Sequence, residues 1–293
     1  MRIDELPQSA RIEDRRGIPG GRGGIGIGMV VVLALIGWAL GIDPRTLIGG
    51  AEMILSGGEQ QQTSSPSTKP GSPPDAMANF VSAILGSTET VWTDIFAQSG
   101  RTYTAPTLVM FSGATQSGCG AARSAMGPFY CPLDQKVYLD TSFFQDLEGR
   151  LGACQVGSKT CQFSQAYVIA HEVGHHVQNL LGVLPKVQQA QRAMDETESN
   201  ILQVRVELQA DCLAGVWANR GQAKWDFIEP GDVDSALQTA SAIGDDRLQR
   251  RSQGYVVPDA FTHGSSAQRT RWFTIGLKSG TVASCDTFRN EQL

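Results

Sequence analysis

Residues 171 to 175 read H-E-V-G-H. On a helix, positions i and i+4 lie about 40° apart around the axis, so His171 and His175 can face one ion while Glu172 stands beside its open coordination position. That arrangement suits hydrolysis. Zinc with three protein ligands keeps a place for water, lowers that water's pKa toward about 7 and polarises a carbonyl, and a nearby carboxylate takes the proton. The bland alternative is a helix that happens to carry two histidines. Against it, Tyr167, Val168 and Ile169 precede the motif, and Val173 and Gly174 sit uncharged within it. A charged Glu172 in so apolar a helix needs a polar purpose.

The third ligand must come from elsewhere. After His175 the chain runs HVQNLLG, without the glycine and histidine of the HExxHxxGxxH pattern, which excludes a metzincin. Downstream, Glu207 and Asp211 in ELQAD lie one helical turn apart, a spacing at which Glu207 binds zinc and Asp211 orients a ligand histidine through its other nitrogen. Glu196 and Glu198 are rival ligands, and a solvated charged face is the plain alternative. Leu208, Ala210, Leu213 and Ala214 around Glu207 point to burial and favour it. His176 projects away from the ion that His171 and His175 would share, and reads as structural. His263, in FTHGSSAQRTRWF, fits either of two roles: a donor to the oxyanion of a tetrahedral intermediate, or a loop hydrogen bond ahead of a helix beginning near Ser265 or Ser266. Arg269 is a second candidate for the donor.

Several elements must position these groups. Ala166, Ile169, Ala170, Val173 and Val177 predict a helix over 165–181, and Phe80, Ile84, Val91, Ile95 and Phe96 predict another from about 76 to 100. TLVMF at 107–111 and KVYLD at 136–140 read as short strands of a small sheet, and either could be core or an edge that pairs with an extended peptide. The stretch 186–220, without internal proline, predicts one long helix or two with a bend near Thr197. The expected fold class is α+β: a mainly helical domain over 76–293 with a small sheet.

Ahead of that domain, residues 24–42 carry no charge over about the length that spans a hydrocarbon core, predicting a transmembrane helix. Arg2, Arg11, Arg15, Arg16 and Arg22 precede it, so the positive-inside rule makes 1–23 a cytoplasmic stub and exports the chain beyond the helix. Residues 43–75 read as a flexible linker, its part from Ser56 rich in Gly, Ser, Gln and Pro. Six cysteines agree with an oxidising compartment. Of the fifteen pairings open to six thiols, pairing nearest neighbours joins Cys119 to Cys131 and Cys154 to Cys161 and leaves Cys212 with Cys285. That pairing sets aside Cys212 as a soft zinc ligand. A net charge of −5 with scattered arginines speaks against nucleic acid as a partner.

HEVGHHVQ, ELQADCLAG, GPFYCP with VYLD, and FTHGSSAQR together resemble the bacterial neutral zinc metallopeptidases of the thermolysin-like clan, over about Arg2 to Leu293. The resemblance implies a cytoplasmic stub, one membrane helix and an exported peptidase domain acting on peptides or proteins, with the family's site falling on His171, Glu172, His175 and Glu207. A rival expectation is a membrane-tethered scaffold with a structural zinc, but a structural site closes with four protein ligands and only three are evident.

Overall fold

The computed structural model describes residues 1–17, 75–149, 161–289 and 293. These hold eight α-helices and six β-strands, the mainly helical α+β class expected. The apolar run 24–42 and the linker as far as residue 74 lie outside the described residues. No helix among those described is long and apolar enough to cross a membrane.

Helix α1, Ala76–Gln98, starts where the Asp75 carboxylate accepts from the Met77 amide at 3.0 Å, and it buries Phe80, Ile84, Val91 and Phe96. After α2, Ser142–Gly149, come the two helices that carry the HExxH motif and its downstream carboxylates. These are α3, Cys161–Leu180, and α5, Glu196–Trp225. The stretch 186–220 proves to hold two helices, α4, Val183–Gln191, and α5. The break lies just before Thr197, where Asp195 accepts from the Glu198 amide at 2.8 Å and caps α5. Helices α6, Asp232–Ala242, α7, Asp245–Gln253, and α8, Ser266–Ser279, complete the body. Helix α8 lies against α5 almost backbone to backbone. A Cβ on Gly276 would stand 1.9 Å from the Cys212 carbonyl oxygen, so only glycine permits this approach.

The four-stranded sheet has the order β1-β2-β6-β5, with β1 Ile12–Asp14, β2 Thr107–Phe111, β5 Phe129–Cys131 and β6 Lys136–Asp140. Strands β3, Ala114–Ser117, and β4, Gly120–Arg123, form a separate hairpin. β2 and β6 pair in parallel, Leu108 opposite Val137 and Met110 opposite Leu139. Their near-continuous apolar sequence follows from burial on both faces. Neither is therefore an edge. The outer strand on the motif side is β5, which runs antiparallel to β6.

Residues 1–17 pair with the body. β1 pairs in parallel with β2, Glu13 opposite Val109, and the Leu108 amide donates to the Arg11 carbonyl at 2.9 Å. Leu6 is buried in the main core, and the backbone at Pro7 passes so close to α1 that a Cβ on Gly86 would lie 2.2 Å from its carbonyl oxygen. Three of the five arginines read as topological signals form ion pairs within the fold: Arg2 with Asp226 at 2.7 Å, Arg15 with Glu13 at 2.8 Å, and Arg16 with Asp14 and Asp75. Residues 1–17 and the body form one compact unit.

Two of the expected disulfides are present, Cys119–Cys131 and Cys212–Cys285. Cys161 is disulfide-bonded as well, while Cys154, the partner expected for it, lies outside the described residues.

Candidate metal centre

Helix α3 brings His171 and His175 to one face one turn apart, their rings 4.8 Å between centroids and nearly perpendicular. Helix α5 crosses with Glu207 facing them. Glu207 Oε2 lies 3.2 Å from His171 Nε2 and 3.4 Å from His175 Nε2. Bonds of about 2.0–2.1 Å at tetrahedral angles put neighbouring zinc ligands roughly 3.3 Å apart, so both His–Glu separations match that spacing, and all three ligand atoms lie within 4.8 Å of one another. Among the described residues, His171, His175 and Glu207 are the group whose His and carboxylate atoms converge in this way. The rival carboxylates, Glu196 and Glu198, lie exposed in the first turn of α5.

Each imidazole is held through its outer nitrogen. His171 Nδ1 meets Asp211 Oδ1 at 2.8 Å, and His175 Nδ1 meets the Gln178 side-chain carbonyl at 2.9 Å. Protons on both Nδ1 atoms direct the Nε2 atoms at the cluster. Asp211 is fully buried and also accepts from the Tyr167 hydroxyl and, in a fork, from Arg269 Nε and Nη2, each at 2.9 Å. Burial raises the Asp211 carboxyl, but Arg269 and His171 outweigh it and hold it down at about 2. Burial likewise opposes charge on His171, yet Asp211 lifts that imidazole to about 10. Glu207, raised by burial, is pulled well below the usual carboxylate range by His175 and His171. Gln203, one turn earlier on α5, donates to Glu207 Oε1 at 2.9 Å and holds the oxygen that faces away from His171.

Arg269 thus anchors Asp211 while bordering the groove. Removing it leaves a buried carboxylate without its counter-ion, so Arg269→Leu is expected to lower stability by about 3–5 kcal/mol. Urea unfolding of the metal-free protein measures this, and an unchanged midpoint would refute it.

Glu172 and His263 line the same groove, a cavity of about 490 Å³ whose apolar wall includes Met126, Phe129, Phe143, Leu184 and Val187. Phe129 lies on the outer strand β5. His263 is half-exposed. Its Nδ1 bonds to the Thr262 hydroxyl at 2.9 Å and faces Asp245 Oδ1 at 3.5 Å, and the hydrogen bond to Asp245 raises its pKa. Asp245 also fixes this loop, one oxygen accepting from the amides of Thr262, His263 and Gly264 at 2.7, 2.6 and 3.0 Å. The helix cap expected nearby is Ser265, which accepts from Gln268 in a reciprocal capping box.

His176 is buried away from the cluster, its Nε2 on the Thr104 carbonyl at 2.6 Å and its Nδ1 on the Tyr130 hydroxyl at 3.0 Å, and burial lowers its pKa. It fixes α3 against β5. Sequence reasoning missed Gln178, Gln203 and Asp245, and saw Tyr167 only as an apolar neighbour. Gln178 lay inside a motif already noted, and its place three residues after His175 was the available signal.

A family model described as "Putative neutral zinc metallopeptidase" matches residues 1–288. The chain is 46% identical over 301 residues to "Uncharacterized protein YpfJ" of Escherichia coli (strain K12), covering 98% of this chain and 99% of that protein. It is 47% identical over 195 residues to "Uncharacterized protein Rv2575" of Mycobacterium tuberculosis (strain ATCC 25618 / H37Rv), covering 64% of this chain and 63% of that one. No solved structure matches.

Proposed function

The chain belongs to the neutral zinc metallopeptidase family, and from that premise we propose that it hydrolyses peptide bonds of exported proteins or peptides, with zinc held by His171, His175 and Glu207. The convergence of those ligand atoms in a groove that also exposes Glu172 carries the reading. Zinc in this site supplies a Lewis acid that polarises a carbonyl and acidifies a water. Glu172 takes a proton from the attacking water and passes it to the amine nitrogen as the C–N bond breaks. Asp211, Gln178 and Gln203 keep the ligands in place. A donor set of three supports a catalytic rather than a structural site.

His263 is assigned to the oxyanion. With an Nδ1–H turned to Asp245, the ring has an Nε2–H to donate when doubly protonated. Asp245 raises the pKa, so the donating form persists to higher pH and is lost as pH rises through that raised value. Asp245→Asn is therefore expected to move the alkaline limb of kcat/KM to lower pH. An unmoved limb would remove His263 from this role.

The proposed compartment is an oxidising one outside the cytoplasm, supported by the disulfides. The proposal includes residues 1–17, because they pair with the body.

The test is metal content of the purified full chain, with hydrolysis of an unstructured protein substrate before and after chelation. One zinc per chain, with activity lost on chelation and restored by zinc, is expected. One zinc per chain without hydrolysis would favour the structural-zinc scaffold instead.

A further inference from the structure

The two ligand histidines are held by partners of different kinds. His171 leans on Asp211, a charged group anchored by Arg269. His175 leans on Gln178, a neutral amide that is wholly buried. A buried carboxamide has to satisfy both its oxygen and its nitrogen. Here the nitrogen donates to the Val206 carbonyl at 2.8 Å and to the Gln209 side-chain oxygen at 3.0 Å, both on α5. Two acceptors at the nitrogen fix the orientation of the amide, so its oxygen must be the atom that faces His175. That oxygen can only accept, which puts a proton on His175 Nδ1 and turns Nε2 toward Glu207.

Val206 immediately precedes Glu207 in the chain. One side chain therefore touches the imidazole of one ligand, on α3, and the backbone beside another, on α5. The bonding continues outward. Gln209 donates to the Cys285 carbonyl at 2.9 Å, and Cys285 is joined to Cys212, next to Asp211.

We propose that Gln178 is a positioning residue of the metal centre, setting both the tautomer of His175 and its separation from Glu207. The proposal rests on the zinc reading above. It distinguishes Gln178 from an amide that merely joins two helices, because a joint of that kind would stabilise the fold without affecting the metal.

The test uses the full chain with Gln178→Met, which keeps the length of the side chain and removes the amide, and Gln178→Glu, which keeps an acceptor for His175 Nδ1–H. Zinc affinity is measured by competition with a chromophoric chelator, and ligand geometry by the visible spectrum of the cobalt-substituted protein. For Gln178→Met the zinc dissociation constant is expected to rise about 10- to 100-fold, with displaced cobalt bands. Gln178→Glu is expected to return the cobalt bands toward those of the wild type, although its urea midpoint stays low for want of the donors to α5. If Gln178→Met does not fold, the cobalt bands of Gln178→Glu decide, and displaced bands there overturn the proposal. A lowered urea midpoint with wild-type zinc affinity and cobalt bands in Gln178→Met makes Gln178 a helix joint alone, and also overturns it. Wild-type protein that takes up neither zinc nor cobalt would sink the metal centre itself.

Discussion

Glu172→Gln is expected to retain one zinc per chain while kcat for peptide hydrolysis falls by about 10²–10⁴-fold. The substitution keeps the size of the side chain and takes no ligand from the cluster, since the converging atoms belong to His171, His175 and Glu207. What it removes is the carboxylate that accepts the water's proton. KM should change little, because an amide fills the same place in the groove wall. Metal analysis and steady-state kinetics on the same preparation separate the cases. Zinc lost along with activity would mean that Glu172 supports the metal, and undiminished kcat would pass the base role to another group.

The second large effect concerns topology. Asp4, Glu5 and Gln8 are exposed, whereas Met1 and Leu6 are buried. A cysteine at Glu5 and another at Gln253, also exposed, can therefore report on the two flanks without entering the core. The described cysteines are all disulfide-bonded and add no background. In intact spheroplasts an impermeant thiol reagent is expected to treat both positions alike. Labelling at Gln253→Cys with protection at Glu5→Cys, reversed on lysis, would restore the single-pass arrangement and mean that β1 does not pair with β2 in the cell. Adjacent parallel strands lie about 4.8 Å apart, so the two outcomes exclude each other for a folded molecule.

The site was legible where its geometry is local. His171, Glu172 and His175 stand on one helix, and helical spacing alone brings both imidazoles to one face. The HVQNLLG sequence excluded one class of third ligand, and the apolar neighbours of Glu207 favoured it over Glu196 and Glu198. The sequence also marked β2 and β6, because a strand buried on both faces is a continuous apolar run.

What failed was whatever depends on which elements meet. The outer strand is β5, only three residues long, and too short to carry a periodic signal of its own. The N-terminal arginines were counted as charges facing a membrane, since a sequence shows charge but not the partner. In the fold Arg2, Arg15 and Arg16 pair with Asp226, Glu13, Asp14 and Asp75. Arg269 has the same lesson, a candidate donor by composition and an anchor for Asp211 by position.

The sequence by itself marked His171, Glu172 and His175 as a metal-site motif on one helix, because they stand at helical spacing, and favoured Glu207 over Glu196 and Glu198 by its apolar neighbours. Only the tertiary structure decided that Gln178, Gln203 and Asp245 serve the site, that residues 1–17 belong to the body, and that β5 borders the groove. Each of those facts is a contact between elements distant in the chain or a choice among hydrogen-bond partners, and burial selects among such partners only after the helices and strands have packed.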